Sequence, residues 1–418
     1  MSFHTCATRA GFACLVAIVA TGEAHAQAPA QATLTLQDAF TRALADAPAI
    51  QASDMARLAA EAGARQADRA PNPTLDITAE NLFGSGLYSG IDRAETTFAL
   101  SQRLEWGEDR QARTSLAAAD IGVARAGGDV RRQDLLYEVE LAYLGAQKAE
   151  ADLQVALERA GVAREVVATV QRRVDAARDP LMAGAKAQAV LAEAEINVEN
   201  ARRISEGARA RLASFWGGDV SFIVDAAAFG GARATPLTGQ LASPELALAS
   251  AEAERAAAAV GVERSRAEQD PTVSGGFRYF HETDEVALVV GFSIPLGVND
   301  RNNGGIARAE AERSRLRLEG EALRRNIERE ASSARSQMEI AQAEVDAIDT
   351  RLLPVAEKAL AYARDGYNAG GFSYLDVLDA QRLLVEARLQ RNSALHSYHS
   401  ARVTLARLTG AYAEGSAQ

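Results

Sequence analysis

The chain has 418 residues, with 56 acidic against 45 basic side chains and a formal net charge of -11. That balance argues against nucleic acid as a partner, because phosphate binding draws on a basic footprint. Beyond residue 26 no stretch approaches the roughly 18 to 20 continuous apolar residues of a transmembrane helix. Any membrane crossing would have to be made by strands.

Residues 1–26 have the pattern of a cleaved secretory signal: a short polar start with Arg9, an apolar core from Ala10 to Ala20, and Ala24-His25-Ala26 ahead of Gln27. The mature chain is expected to begin near Gln27, outside the cytoplasm. Both cysteines, Cys6 and Cys14, fall inside that segment, which leaves no thiol for a disulfide, a metal or a nucleophile. Gly11-Phe12-Ala13 ahead of Cys14 makes a poor lipoprotein signal.

The rest of the chain says the same thing twice, with a first repeat at 27–235, a second at 236–410 and a tail at 411–418. In the first repeat two segments alternate with period two, as strands with unlike faces do. Leu75, Ile77 and Ala79 oppose Asp76, Thr78 and Glu80; Phe98, Leu100 and Leu104 oppose Thr97, Ser101 and Arg103, with Gln102 breaking the apolar side. From about Arg110 to Ala176 apolar or small residues then recur at three and four: Leu136, Val139, Tyr143, Ala146, Leu153, Leu157, Ala160, Val167, Val170, Val174. That is a heptad seam, and roughly 65 helical residues extend about 100 Å, far more than a compact domain needs. Ala183-Gly184-Ala185 reads as the turn that ends this helix.

In the second repeat the alternating stretch opens at Pro271-Thr272-Val273, as it opens at Pro73-Thr74-Leu75 in the first. Val273, Phe277 and Tyr279 oppose Ser274, Arg278 and Phe280; Val286, Leu288, Val290, Phe292, Ile294 and Leu296 share one face, with Ala287, Gly291 and Ser293 on the other. A helical stretch from Ile306 to Arg364 follows, with Pro354 as the expected kink. Ala369-Gly370-Gly371 reads as the equivalent turn. Matching it to Ala183-Gly184-Ala185, while Leu212-Ala213 matches Leu405-Ala406, implies one extra heptad in the second half.

Each strand is about ten residues long, which suits a tilted crossing of a bilayer. Four strands cannot close a barrel, and an open edge in lipid leaves backbone groups unpaired. Several chains are therefore expected to pool their strands. The fold class is mainly α with a small β part.

Nothing in the sequence looks catalytic: no glycine-rich phosphate loop follows a strand, and no cofactor motif is present. The mature histidines are His281, near a strand end, and His396 with His399, one helical turn apart. No thiol or closely spaced carboxylate completes a metal site with that pair, which reads as polar helix residues. Asp376 and Asp379 are also one turn apart and can face one way; their bland role is to sit favourably at a helix start.

The duplicated layout, the start Leu36-Gln37-Asp38-Ala39-Phe40-Thr41-Arg42-Ala43-Leu44 and the run from Gly370-Gly371-Phe372-Ser373 to Asp379-Ala380-Gln381 resemble the TolC-like outer membrane efflux family. The resemblance covers essentially the whole mature chain. It implies a homotrimer with a twelve-stranded barrel in outer membrane lipid, continuous with an α-helical barrel that meets a periplasmic adaptor and an inner-membrane RND-type pump. It further implies that Asp376 and Asp379 form carboxylate rings at a closable periplasmic gate. Ala183, Gly184, Ala185, Ala369, Gly370, Gly371 and Phe372 would then form the rim where the adaptor docks. Relatives often carry a basic residue where this chain has Phe372, so the links that hold the tip closed are expected to differ.

Pro71-Asn72-Pro73, Glu80-Asn81-Leu82-Phe83-Gly84 and Phe292-Ser293-Ile294-Pro295-Leu296 with Asp300-Arg301-Asn302 look like the CzcC-like heavy-metal branch of that family. They imply a passive exit duct for metal cations. A duct for drugs or secreted proteins is the alternative within the class, and a soluble periplasmic coiled-coil scaffold is the alternative outside it.

Overall fold

A computed structural model describes residues 32–218, 220–225, 227–232, 242–410 and 412. The proposed signal segment lies outside them, and of the 411–418 tail only Tyr412 lies within. In chain order the elements are β1 Ala32–Leu34, α1 Leu36–Asp46, α2 Pro48–Ala67, β2 Thr74–Glu80, β3 Glu95–Arg103, α3 Asp109–Asp175, α4 Leu181–Ala213, β4 Phe222–Val224, α5 Pro244–Ser265, β5 Thr272–Phe280, β6 Glu285–Ser293, α6 Asn303–Ala347, α7 Leu353–Ala369 and α8 Tyr374–Leu408.

The four alternating segments form one antiparallel sheet, ordered β2-β3-β5-β6, with β2 and β6 at its edges. Each strand runs directly into or out of a long helix. α2, α3, α5 and α6 lie side by side in the half nearer the sheet, and α4, α3 and α8 with α6 and α7 in the farther half. Only α3 is one unbroken helix over the whole height, at 67 residues about 100 Å. Among the described residues no helix is long and apolar enough to cross a membrane.

Local signals explain where these elements start and stop. Thr35 and Asp38 make a reciprocal capping box on α1, and Ser373 and Asp376 make one on α8. Pro48 and Pro244 occupy first-turn positions of α2 and α5, where a missing N–H costs nothing. The counterpart of α3 is interrupted: α6, a π turn at Ile348–Leu352 and α7 have 45, 5 and 17 residues, together as long as α3. The π turn sits just before Pro354, whose ring could not follow a regular turn without striking an upstream carbonyl. The helix is therefore irregular at the point where the sequence led us to expect a kink.

Helices approach closely because alanine fills the seams. Ala146, Ala160, Ala194, Ala356 and Ala387 are all buried. At mid-height β1 pairs in parallel with β4, and both pack on α1 and α3 around Leu34, Val139, Tyr143, Leu212 and Phe222. The Tyr143 hydroxyl donates to the Leu34 carbonyl at 3.0 Å. Strands of three residues are too short to show alternation, so the sequence did not reveal them. On the face away from these strands the helices leave an open groove of about 1080 Å³ between α3, α4, α6 and α8.

Two expectations need correction. The first reversal is not at Ala183-Gly184-Ala185 but at Ala176–Pro180, where Ala177 takes the left-handed conformation (φ 58°) and Pro180 caps α4. Ala183, Gly184 and Ala185 lie in the first turns of α4, with Gly184 buried beside Gln171 and Val174 of α3. The extra heptad also disappears. Pro180 with Ser373, Leu181 with Tyr374, Ala194 with Ala387 and Leu212 with Leu405 share one offset along the whole of α4 and α8. A small-residue triplet had been matched one heptad out of register, which helical periodicity cannot detect.

Candidate functional site

Two places carry chemistry beyond packing: the helical tip, and the sheet at the opposite end. At the tip the α3–α4 and α7–α8 turns are joined by one network. Arg173, in the last turn of α3, grips Asp179 with two nitrogens at 3.1 and 3.2 Å and donates to the Tyr367 carbonyl at 2.8 Å. The Tyr367 hydroxyl donates to the same carboxylate at 2.6 Å, and the Arg173 guanidinium lies 4.6 Å from the Tyr367 ring centre. The bond from Arg173, then that from Tyr367, holds the Asp179 carboxyl below its usual range. Burial, then the bond to Asp179, pushes the Tyr367 phenol up. Val170, Leu360, Ala363, Tyr374 and Val377 form the apolar floor of this latch.

Gly370 ends α7 in the left-handed conformation (φ 83°), open to glycine without penalty. Gly371 and Phe372 donate backbone N–H groups to the Gly366 carbonyl at 2.8 and 3.2 Å. The half-exposed Phe372 ring folds back over Gly366, where any Cβ would collide with it. Aromatic packing thus occupies the position just after the glycine turn.

Asp376 and Asp379 are both exposed on α8, while Tyr374, Val377 and Gln381 turn inward. They are not equivalent. One oxygen of Asp376 accepts from both the Ser373 backbone N–H and the Ser373 hydroxyl, each at 2.7 Å. Those bonds hold its carboxyl below the ordinary value. The bland role weighed from sequence therefore applies to Asp376, alongside any role in a gate.

The histidines do not converge on a metal. His399 is buried, its ring stacked on Phe229 at 5.8 Å and edge-on to Tyr398 at 5.2 Å; burial pulls its pKa down to about 4. His396 instead borders the mid-height groove, its pKa lowered by burial and then by Lys148. His281 sits at the end of β5, its ring edge-on to Tyr279. No group of three or more His, Cys, Asp or Glu side chains with metal-holding geometry occurs among the described residues.

At the other end the sheet has two unlike faces. One residue from each strand lines up in register as Ile77, Phe98, Phe277 and Leu288, all exposed; the row Leu75, Leu100, Gly275 and Val290 lies beside it. The opposite face is polar: Arg278 reaches Glu95 at 2.8 Å, Thr97 at 2.9 Å and Glu80 at 3.2 Å, and Ser101 donates to Asp76 at 2.5 Å. Gln102, the break in the apolar pattern, ties its amide to the Pro71 and Arg103 carbonyls near the helix end. There Arg103 clamps buried Asp270 at 2.9 and 3.0 Å, which fastens β3 to the start of β5.

The latch residues Arg173, Asp179 and Tyr367, and the glycine under Phe372, were not singled out from sequence. Arg173 and Asp179 show a charge pair close in sequence, but Tyr367 joins them only through the packing of α7 on α3.

The sequence matches the profile of the outer membrane efflux protein family at residues 39–218 and 237–411. It is 31% identical over 385 residues to the cobalt-zinc-cadmium resistance protein CzcC of Cupriavidus metallidurans, with 90% of each chain covered. It is 28% identical over 319 residues to the nickel-cobalt-cadmium resistance protein NccC of Alcaligenes xylosoxydans xylosoxydans, covering 74% of this chain and 72% of the relative. Among solved structures it resembles the outer membrane protein VceC of Vibrio cholerae, with a TM-score of 0.71 at 21% identity, covering 90% of this chain and 96% of that one.

Proposed function

The chain belongs to the outer membrane efflux protein family, whose members are channels rather than enzymes, and from that premise we propose that it is the passive exit duct of a heavy-metal efflux system. Three copies would join β6 of one chain to β2 of the next, closing a twelve-stranded barrel in the outer membrane over a helical tunnel. The observation that carries this assembly is the sheet itself. Both edges lack a further partner among the described strands, and one face carries exposed rows of apolar side chains, Ile77, Phe98, Phe277 and Leu288 with Leu75, Leu100 and Val290. In lipid such edges cost several kcal/mol per unpaired backbone group, and barrel closure removes them.

The metal cargo rests on the relatives' names, cobalt-zinc-cadmium and nickel-cobalt-cadmium resistance proteins. A duct should hold cations weakly, since a tight site would stop flow. Asp376 and Asp379 would ring the periplasmic entrance and attract cations. The turns Ala176–Pro180 and Ala369-Gly370-Gly371-Phe372, backed by Ala183, Gly184 and Ala185, would form the rim that meets a periplasmic adaptor and, through it, an inner-membrane RND-type pump.

The test is survival of a strain lacking the protein, with and without a plasmid copy, on divalent metals, drugs and detergents. Sensitivity confined to metals and reversed by the plasmid supports the proposal. Sensitivity to drugs alone would refute the cargo and leave the channel.

A further inference from the structure

The two strand pairs turn back at the helix-free end of the sheet in different ways. β5 and β6 are joined by the polar residues His281, Glu282, Thr283 and Asp284. β2 and β3 are joined by residues 81–94, which fold into a small structure of their own. Phe83 donates its N–H to Gly90 and Gly84 to Tyr88, both at 2.8 Å, around a 3₁₀ turn at Gly86–Tyr88. The feet are fastened: Asn81 donates to Glu95 at 3.0 Å, and Arg93 pairs with Glu282 at 2.9 Å. Yet this ordered loop displays apolar side chains. Phe83 is 79% and Leu87 73% exposed, with Ile91 and Tyr88 about half exposed. Phe83 is also held at φ 53°, a conformation rare for a bulky residue.

We propose that this loop is buried in the membrane, with Phe83, Leu87, Tyr88 and Ile91 inserted among the acyl chains of the outer leaflet. The idea rests on the membrane assignment of the sheet made above. Its argument is continuity with the apolar face. The outermost apolar-side row of the sheet is Ala79, Thr96, Tyr279 and Val286. On β5 and β6 that row is large and fit for lipid; on β2 and β3 it is small or polar. The loop rises from the deficient half. From that row to the row of Gln102, Val273 and Phe292 is three two-residue steps, about 20 Å along a strand and about 15 Å along the membrane normal at a tilt near 40°. A barrel's apolar band is about 25 Å tall. Exposed Leu104, Trp106 and Leu296 extend the band at the helix end, and only the loop can extend it over the outer end of β2 and β3.

The other direction is unfavourable. Folded inward, the loop would lie over Glu80, Glu95 and Arg278 on the polar face and strip them of water. Left in water, it would be an ordered apolar patch on a soluble surface, which marks an interaction site rather than a resting state.

The experiment uses full-length protein with Cys6 and Cys14 replaced by Ser, carrying one cysteine at a time labelled with an environment-sensitive fluorophore. The sites are Leu87→Cys in the loop, Leu288→Cys on the apolar face and Glu282→Cys in the polar turn. The protein is reconstituted into phosphatidylethanolamine and phosphatidylglycerol vesicles, and quenching by nitroxide-bearing lipid is compared with quenching by aqueous iodide. The expected result is that Leu87 follows Leu288, quenched by lipid and at least severalfold less by iodide than Glu282. Iodide quenching at Leu87 equal to that at Glu282 would overturn the proposal, as would protection from both quenchers, which would mean an inward fold. Absence of lipid quenching at Leu288 would instead refute the membrane assignment of the sheet itself.

Discussion

Tyr367→Phe is the smallest change that should loosen the tip. It deletes one hydroxyl, leaves the ring under Arg173, and removes the 2.6 Å bond to Asp179. A hydrogen bond to a charged group is worth about 1.5–3 kcal/mol. Asp179 and Arg173 are 13% and 20% exposed, so some of that strength is screened, and a loss of about 1–2 kcal/mol per chain is expected. That corresponds to a separated tip roughly 5- to 30-fold more populated. Arg173→Gln should do more, because it removes both bonds to Asp179, the bond to the Tyr367 carbonyl and a cation–π contact. Since the groups share one carboxylate, the double variant should fall short of the sum. Single-channel recording in planar bilayers would read the open fraction. The latch is strongest with Asp179 ionised, and its carboxyl lies below the ordinary value. Its contribution is therefore complete above the usual carboxylate pKa and is lost only as pH falls through the lowered one. Open fraction should stay flat between about pH 8 and pH 5, a range across which the carboxylate stays ionised. An unchanged open fraction in Arg173→Gln would show that the tip does not open across this contact.

Three further outcomes follow from the same geometry. Gly366→Ala should drive Phe372 off its seat at about 1–3 kcal/mol, lowering the thermal midpoint, and Phe372→Ala should restore it; failure of that rescue would mean the clash is not with the ring. Asp376→Asn should lower both helix stability and conductance block by multivalent cations, whereas Asp379→Asn should change only the block; the two effects are read by melting and by bilayer recording. His399 is buried neutral with a pKa of about 4 against 6.5 unfolded, so stability is full above about pH 6.5 and falls by up to about 3 kcal/mol as pH drops towards 4. His399→Phe should flatten that dependence in melting curves, and a slope equal to the parent's would place the acid sensitivity elsewhere.

Period, composition and the repeated layout made the large elements legible. The four strands and their unlike faces followed from alternation, and α3 and α6 from apolar or small residues recurring at three and four with no proline between them. Pro354 marked the irregularity because a proline inside a helix removes a backbone hydrogen bond and crowds an upstream carbonyl, and a π turn lies just before it. What escaped were features set by distance rather than pattern. β1 and β4 are too short for periodicity, and their pairing depends on α1 and α3 bringing them together. The turn at Ala176–Pro180 was missed because its left-handed residue is Ala177, where glycine would be the expected marker. A small-residue triplet further on looked more like a turn and carried the register astray by one heptad. The latch was invisible for a related reason: Tyr367 and Asp179 are far apart in sequence, and nothing local in either segment announces the other.

The two halves repeat in layout but not in stiffness, and the difference bears on which part moves. α3 is continuous from the sheet to the tip, so a displacement at its end must bend the whole rod or shift its packing against α1, α2, α4, α5 and α8. The equivalent path in the second half is broken by the π turn at Ile348–Leu352 and by Pro354, and it ends at Gly370 in the left-handed conformation. Such points absorb backbone rotation at small cost. α7 lies between them, with Val355 and Tyr362 exposed on one side and Tyr367 latched to Asp179 at its end. Opening the tip should therefore swing α7 and the start of α8 about the π turn while α3 stays in place, and the Asp179 carboxylate, anchored by Arg173 on the rigid side, is the contact that such a swing must break. Replacing Pro354 by alanine tests this directly: a straighter, better hydrogen-bonded helix should lower the open fraction in the Tyr367→Phe background, and an unchanged or higher open fraction would move the hinge elsewhere.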